Sequence, residues 1–126
     1  MTPLLTKAFL SANAIAGYLI VAGAPGNALS VASAATDRLI GVSPPLGVDA
    51  GKMADVIQVG EGEVRCGGDV DFGDPLTADA NGKAVKAVPV AGSVVRIVGF
   101  AQADGALGDI IPYLAAPGVL NTPAAA

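Results

Sequence analysis

Apolar residues in this chain fall into short runs, and glycine, proline or small polar residues end almost every run. With 17 Gly and 9 Pro, no apolar pattern of helical period continues for a dozen residues without a break. Short runs separated by turn signals are typical of β-sandwiches and β-barrels. We therefore predict an all-β fold, a small β-sandwich or partly open β-barrel with room for an extended N-terminal arm. The predicted strands are Leu4–Phe9, Ala14–Ala22, Ala28–Ala34, Leu39–Ser43, Met53–Val59, Glu63–Cys66, Leu76–Thr77, Ala84–Ala87, Val94–Ala101 and Ile110–Ala115. The segments predicted to be turns include Gly60–Gly62 and residues 117–118.

Two of these runs indicate where their strands lie in the sheet. In "VVRIVGFA", residues 94–101, both alternating sets of side chains are apolar apart from Arg96. This pattern predicts a central strand or one that a partner covers. In "MADVIQV", residues 53–59, polar and apolar side chains share both faces, which predicts a strand near the rim of the sheet.

The clearest local signal is the turn Asp79–Gly82, within "GDPLTADANGKAVKA". Its aspartate can accept a hydrogen bond from the backbone ahead of it, and its glycine can adopt a positive φ. The turn predicts a surface hairpin in which Leu76–Thr77 pairs with Ala84–Val85. Pro75 lacks a backbone donor and should mark the start of its strand or an edge.

The length of 126 residues favours one domain. We divide the chain into an N-terminal arm or first strand at 1–12, a β-rich domain at 13–119 and a C-terminal tail at 120–126. No charged residue occurs from 8 to 36. That stretch fits buried strands, or a secretory signal with its cleavage site at 32–34, but polar residues interrupt it and no membrane span is predicted.

The composition and charge of the chain indicate which classes of molecule it is expected to bind. Charged residues make up 14% of the chain, against about 25% in an average globular domain. So few charges cover the surface of a lone monomer poorly, and we predict that part of it is buried against other chains. The 7 Lys and Arg are scattered and the net charge is −4, so we expect no nucleic-acid partner. Since no membrane span is predicted, we expect no membrane partner either.

The residues that usually carry catalysis or bind metals are scarce. The chain has no His and a single Cys, Cys66, which excludes histidine-based triads and a cysteine zinc site. The acidic stretch "CGGDVDFGD", residues 66–74, lacks the loop length of an EF-hand and is expected to be a solvated loop. Glu61 and Glu63 could share a strand face, but no aromatic platform for a sugar accompanies them. We therefore expect no enzymatic activity, no cofactor and no metal site.

Several segments stand in a distinctive order along residues 3–119. They are "PLLTKAF", "AIAGYLIV", "ATDRLIGVS", "GKMADVIQVGEGEV", "GGDVDFGDPLTADANGKAV" and "RIVGFAQADGALGDIIPYLAAPG". Each segment alone consists of ordinary turn and strand residues. In this order and spacing, the chain resembles the tailed-phage capsid cement, or head decoration, family.

The resemblance implies a structural protein of the virion that is made in the host cytoplasm and lies on the outer surface of the capsid. Its implied partners are the major capsid protein and further copies of itself, as a homotrimer or alternatively a dimer. It implies no catalytic residues. A carbohydrate- or receptor-binding β-module is the alternative function, and a secreted β-protein is a third option that depends on the signal peptide.

We predict that the interface with the capsid or with other copies includes the N-terminal arm. An edge strand is competent to pair either with a neighbouring chain or within its own sheet, so both arrangements remain open for the arm. The residues assigned to the interface are Thr2, Pro3, Leu4, Leu5, Thr6, Lys7, Phe9 and Arg96.

Overall fold

The structure is a computed structural model that describes residues 3–11, 13–24, 28–88, 91–92 and 94–121. Thr2, one of the predicted interface residues, lies outside the described residues. Within them the chain forms nine β-strands and no helix, so the predicted all-β class is confirmed. The strands are β1 Pro3–Ser11, β2 Ile20–Ala24, β3 Ala28–Val31, β4 Leu39–Val42, β5 Met53–Arg65, β6 Pro75–Ala78, β7 Ala84–Lys86, β8 Val94–Ala101 and β9 Ile110–Asn121.

The strands form one sheet in the order β4-β2-β3-β1-β5-β9-β8-β6-β7. Neighbouring strands are antiparallel except for β1 and β3, which run parallel. The sheet curls, because β4 at one end packs against β5, β8 and β9. At Gly41 the two layers are so close that a Cβ atom would lie 2.9 Å from the carbonyl oxygen of Ile57. The result is a partly open barrel with a filled interior.

The main core lies inside the curl. It combines side chains from β2, β4 and β5 with side chains from β6 to β9, and Tyr113 is its largest fully buried member. A second cluster, which includes Val21, Leu29 and Val56, packs between β1, β2, β3 and β5. Each of these fully buried aliphatic side chains contributes on the order of 1.5–3 kcal/mol relative to an exposed one.

The two strands whose places in the sheet were predicted, β8 and β5, both lie away from the ends of the strand order. β8 lies between β9 and β6 and buries residues in two different clusters, so its predicted central position is confirmed. The prediction of a rim strand at 53–59 is wrong, because β5 lies in the middle of the order, between β1 and β9. Asp55 is exposed, whereas its neighbour Val56, on the opposite face of the strand, is buried.

A row of three small residues marks the place where the sheet divides. Gly60 of β5 pairs with Ala115 of β9, which also pairs with Gly99 of β8. Among the described residues the pairing of β5 with β9 ends at this row. Gly60 has a φ of 114°, and a Cβ atom at Gly99 would collide with the carbonyl oxygen of Leu114. Glycine is therefore needed on both sides of Ala115, next to a shift in register between Ile97 and Gly99 of β8.

Beyond this row the sheet continues as two separate ribbons. In the first, which we call the β1–β5 ribbon, Pro3–Leu10 pairs with Met53–Gly60. In the second, the β8–β9 ribbon, Val94–Ile97 pairs with 118–121. The two ribbons carry the predicted interface residues that the structure describes.

The predicted hairpin is confirmed, and its turn is more than a surface loop. Thr77 pairs with Val85, Pro75 begins β6, and Gly82 has a φ of 77°. The Asp79 carboxylate accepts hydrogen bonds from the N–H groups of residues 81 and 83, at 2.8 and 2.9 Å. Gly82 is buried, and its carbonyl accepts a hydrogen bond from the N–H of Ile20 at 2.6 Å. The turn therefore docks on the start of β2 and helps to close the curl.

Several strand boundaries differ from the predicted ones. β5 runs without interruption through Gly60–Gly62, which was predicted to be a turn, and joins two predicted strands into one. β2 begins at Ile20 instead of Ala14. β9 extends to Asn121 through residues 117–118, which were also predicted to be a turn.

Candidate interaction surfaces and a cavity

The predicted N-terminal arm is the first strand of the chain's own sheet. β1 pairs with β5 from Pro3 to Leu10, which supports the second of the two arrangements considered for the arm. On its other edge, among the described residues, β1 pairs with β3 only at Leu10 and Ser11. The backbone from Pro3 to Phe9 therefore has one paired edge and one open edge, and an open edge is a template for a further strand.

The middle of β1 is exposed on both faces of the strand. Leu5, Thr6, Lys7 and Ala8 are all exposed, although they alternate between the two faces of the strand. Phe9 is half-buried against the second core cluster, and the Lys7 ammonium lies 5.5 Å from the centroid of its ring. This part of β1 is thus anchored at Phe9 and open to solvent on both faces before it.

The β1–β5 ribbon carries two exposed apolar pairs. Leu5 lies opposite Val59, and Leu10 lies opposite Met53. The exposed fractions of Leu5 and Met53 are 49% and 60%. Large apolar side chains that face each other across two strands and remain in solvent are typical of a surface that a partner covers.

Arg96 lies apart from the other predicted interface residues. It belongs to the β8–β9 ribbon, where it is half-buried opposite the exposed Val119. The backbone N–H of Arg96 donates a hydrogen bond to the backbone carbonyl of Ala35 at 2.8 Å. In the strand order β5 and β9 stand between it and β1, so the structure does not bring Arg96 and the β1 residues together into one site.

A cavity of about 240 Å³ lies beside β5. It forms where the β1–β5 ribbon and β9 meet the segment before β2 and the loop after β4. Two carboxylates, two tyrosines and two prolines contribute to its wall, and the described lining contains no Lys or Arg. The lining residues are Thr6, Tyr18, Val42, Ser43, Pro44, Pro45, Asp55, Ile57, Gly62, Glu63 and Tyr113.

The two tyrosines of this cavity are both unusual. Tyr113 is 1% exposed, and its hydroxyl has no hydrogen-bond partner among the described residues. Burial raises the pKa of this phenol well above its ordinary value. Tyr18 has a φ of 62°, a left-handed conformation that bulky residues rarely adopt. Such backbone conformations are concentrated at binding and active sites.

Local hydrogen bonds hold the cavity wall in place. The Ser43 hydroxyl accepts a hydrogen bond from the N–H of Leu19 at 3.1 Å and donates one to the carbonyl of Ala16 at 2.6 Å. The carbonyl of Tyr18 accepts a hydrogen bond from the N–H of Arg65 at 3.0 Å. The loop after β4 and the segment before β2 are therefore tied to each other and to β5.

Aspartates elsewhere fix loops. Asp74 accepts a hydrogen bond from the N–H of Asp71, and Asp104 accepts one from the N–H of Phe72. In the part of the chain that the structure describes, no three His, Cys, Asp or Glu residues are close enough to hold a metal ion. Cys66 is buried, and its burial and the nearby Asp109 carboxylate raise the pKa of its thiol. The described ranges include no helix that is long and apolar enough to cross a membrane.

Sequence reasoning missed most of the cavity. Glu63 was considered only as half of a carboxylate pair, and nothing in the sequence brings Tyr18 and Tyr113 to the same place. Their meeting depends on the pairing of β5 with β9 and on the unusual backbone at Tyr18, which no local pattern announces.

Comparison with solved structures identifies a protein with the same architecture. The chain is similar to the N base of the head fiber protein gp8.5 of bacteriophage phi29, with a TM-score of 0.64 and 19% sequence identity. The similarity covers 89% of this chain and 93% of the phage chain. The two proteins share a fold. No family model and no curated protein sequence matches the chain.

Proposed function

We propose that this chain is a structural protein of a phage head, and more narrowly a capsid decoration protein. It binds the outer surface of a tailed-phage head and stabilises contacts between major capsid subunits, without catalysing a reaction. The observation that carries the proposal is the similarity in fold, over 89% of the chain, to the base of a phage head fiber protein. The resemblance of its ordered segments to capsid cement proteins points the same way.

The β1–β5 ribbon is the surface through which the chain would act. Its open edge from Pro3 to Phe9 offers backbone donors and acceptors to a strand of a neighbouring chain. Its exposed leucines, methionine and valine supply apolar area that becomes buried in the same contact. A stable protein interface buries about 1,200–2,000 Å² in total, so we expect the contact to involve both faces of the ribbon.

Assembly of several copies is part of the proposal. Decoration works by bridging neighbouring subunits, and a symmetric oligomer provides identical contacts to several of them at once. We propose a homotrimer, with a dimer as the alternative symmetry. The low fraction of charged residues, 14%, supports a chain that buries much of its surface in such contacts.

The experiment that tests this proposal measures binding to heads of the parent phage assembled without this chain. Leu5→Lys places a charge on the β1–β5 ribbon, at a side chain that is already 49% exposed, so the fold is preserved. Leu46→Lys is the matched control, because Leu46 is 99% exposed in the loop after β4. We expect Leu5→Lys to weaken co-sedimentation with the heads at least about tenfold and Leu46→Lys to leave it unchanged.

Two outcomes would count against the proposal. Failure of the unchanged protein to sediment with the heads at any concentration would reject the decoration function. Equal binding of the Leu5→Lys and Leu46→Lys variants would reject the β1–β5 ribbon as the contact surface. Binding of the protein to glycans but not to heads would favour the carbohydrate-binding alternative.

A further inference from the structure

The cavity beside β5 has the size of a site for one side chain. Its volume of about 240 Å³ lies below the range of about 300–1,000 Å³ that is usual for small-molecule sites. Pro45 and Asp55, which line it, are both exposed, so the cavity reaches the surface. A side chain of a partner protein can therefore enter it from solvent, whereas a sugar or nucleotide would have little room.

The charge of the wall selects a cation. Asp55 and Glu63 contribute carboxylates, and none of the lining residues carries a positive charge. The remaining lining residues are mainly tyrosine, proline, valine and isoleucine, together with Thr6, Ser43 and Gly62. An acidic site with apolar walls matches a long basic side chain, because its methylene groups pack against apolar surface while its charged end meets the carboxylates. The ring of Tyr18, which is half-buried, also favours a cation beside it.

The buried hydroxyl of Tyr113 gives an independent indication of a ligand. Tyr113 is 1% exposed, and its hydroxyl is without a partner in the described structure although its side chain lines the cavity. A buried polar group without a hydrogen bond costs about 1–3 kcal/mol, and such groups call for a functional explanation. A donor from a bound side chain would supply the missing hydrogen bond.

We propose that this cavity binds one arginine side chain presented by a partner protein. Arginine fits better than lysine because its planar guanidinium has five N–H donors in a fixed arrangement. These donors match the carboxylate oxygens of Asp55 and Glu63 and the hydroxyl oxygen of Tyr113, which all belong to residues that line the cavity. The left-handed backbone at Tyr18 holds the ring of that residue at the cavity wall, where it flanks the guanidinium.

This inference goes beyond the proposed function and does not depend on it, since any partner with an exposed arginine would serve. If the chain decorates a head, the arginine belongs to the capsid subunit that it contacts. Thr6 of β1 is also a lining residue, so an arginine in the cavity would lie next to the β1–β5 ribbon. An arginine bound in the cavity would therefore strengthen the contact that the β1–β5 ribbon makes with the same subunit.

The test uses the intact chain and a short peptide. The sequence has no Trp and 2 Tyr, and both tyrosines line the cavity, so tyrosine fluorescence reports directly on its occupancy. The probe is the capped peptide Ala-Arg-Ala, and the matched control is the same peptide with citrulline, a neutral isostere of arginine. We expect a saturable fluorescence change with the arginine peptide at millimolar concentration or below and at least about tenfold weaker binding of the citrulline peptide.

Variants of the wall sharpen the test. Glu63→Gln removes one carboxylate of the cavity and should weaken binding of the arginine peptide at least about fivefold. Asp49→Asn, which removes an exposed carboxylate outside the cavity lining, should leave binding unchanged. Tyr113→Phe should lower the affinity without lowering the thermal stability of the isolated chain, because the lost hydroxyl had no partner there.

Three results would overturn the inference. One is the absence of a saturable signal from the arginine peptide up to about 10 mM, where even a weak specific site would fill. Another is equal affinity for the arginine and citrulline peptides, which would show that charge plays no part. The third is unchanged binding in Glu63→Gln. None of these results bears on binding to phage heads, so failure of this inference and failure of the proposed function are distinguishable.

Discussion

At the scale of single residues, the hydroxyls of Thr77 and Ser43 are both buried but have opposite effects on stability. Thr77 is buried in β6, and its hydroxyl has no partner in the described structure. Ser43 is equally buried, but its hydroxyl both donates and accepts a hydrogen bond. A buried hydroxyl stabilises a fold only when its hydrogen bonds are made. The same kind of side chain therefore lowers stability at one position and raises it at the other.

We expect Thr77→Val to raise the free energy of unfolding by about 1 kcal/mol, since it replaces the unpartnered hydroxyl with a methyl group of similar size. Ser43→Ala should lower the free energy of unfolding by about 1–2 kcal/mol, because it leaves the N–H of Leu19 and the carbonyl of Ala16 without their partner. Urea unfolding of both variants measures these changes. Destabilisation by Thr77→Val would show that its hydroxyl is satisfied.

Tyr113 also predicts a response to alkaline pH. Burial raises the pKa of its phenol in the folded chain above the ordinary value of about 10 that it has when unfolded. Below pH 10 both states keep the proton, and this group adds no pH dependence. Above pH 10 the unfolded state releases the proton first, so the free energy of unfolding falls as pH rises, by up to about 1.4 kcal/mol per pH unit.

The measurement is urea unfolding at pH 9 and pH 11. We expect the unchanged chain to lose more stability between these values than Tyr113→Phe, which cannot ionise at this position. An identical loss in the unchanged chain and in Tyr113→Phe would contradict the burial of this phenol.

At the scale of elements, the predictions were correct where the residues of the segment itself determine its conformation. The turn at Asp79–Gly82 was predicted because an aspartate and a glycine at this spacing satisfy the backbone of a tight turn, and the hairpin forms as expected. The strand 94–101 was predicted to be central because both of its faces are apolar, and it is. In both cases the sequence of the segment itself was sufficient to predict its structure.

Elements were mispredicted where distant contacts determine the conformation. Gly60–Gly62 was predicted to be a turn, but it continues β5, because β9 pairs alongside. At Gly62 a Cβ atom would lie 3.0 Å from the ring of Tyr113, so glycine here makes room for a core side chain. The predicted strand from Ala14 was interrupted by the left-handed backbone at Tyr18, which nothing in the neighbouring sequence requires.

The cavity could not be predicted either, because contacts between distant segments bring its lining residues together. Its wall joins residues from β1, β5, β9 and two loops, and the parallel pairing of β1 with β3 was not among the expected arrangements. Of the predicted interface residues, those on β1 share one strand, while Arg96 belongs to the other ribbon. Their arrangement depends on how the sheet divides at the row of Gly60, Ala115 and Gly99.

The docking of the hairpin turn on β2 makes a prediction at this scale. Gly51 and Gly82 have almost the same backbone conformation, with φ of 78° and 77°. A Cβ atom at Gly51 would meet nothing within 4 Å, whereas at Gly82 it would lie 2.6 Å from the side chain of Val31 and 3.2 Å from the carbonyl oxygen of Ile20. The two positions thus share the conformational strain and differ in packing.

We expect Gly51→Ala to cost about 1 kcal/mol of folding free energy, the strain of a left-handed alanine. Gly82→Ala should cost at least about 2 kcal/mol more, because the methyl group forces the turn away from β2 and β3. Thermal or urea unfolding of both variants gives the difference. Equal costs would show that the turn does not dock on the remainder of the sheet.

At the scale of the whole molecule, the surface and the charge agree with a chain that works in an assembly. In the β1–β5 ribbon, both faces and one edge of β1 are exposed. A strand that buries so little surface contributes little to the stability of an isolated chain, but its open edge can pair with another chain. In equilibrium sedimentation at micromolar concentration we expect the unchanged chain to behave as a trimer, or as a dimer if two-fold symmetry holds. An unchanged chain that sediments as a monomer would contradict self-assembly.

The central claim is that this chain is a structural component of a phage head, bound on its outer surface. Electron cryomicroscopy of heads assembled without the chain, before and after its addition, tests this most directly. The account predicts added density at symmetry-related positions on the outer surface, with a shape that the curled sheet of nine strands fits. Heads that are identical before and after addition, at saturating protein concentration, would contradict it.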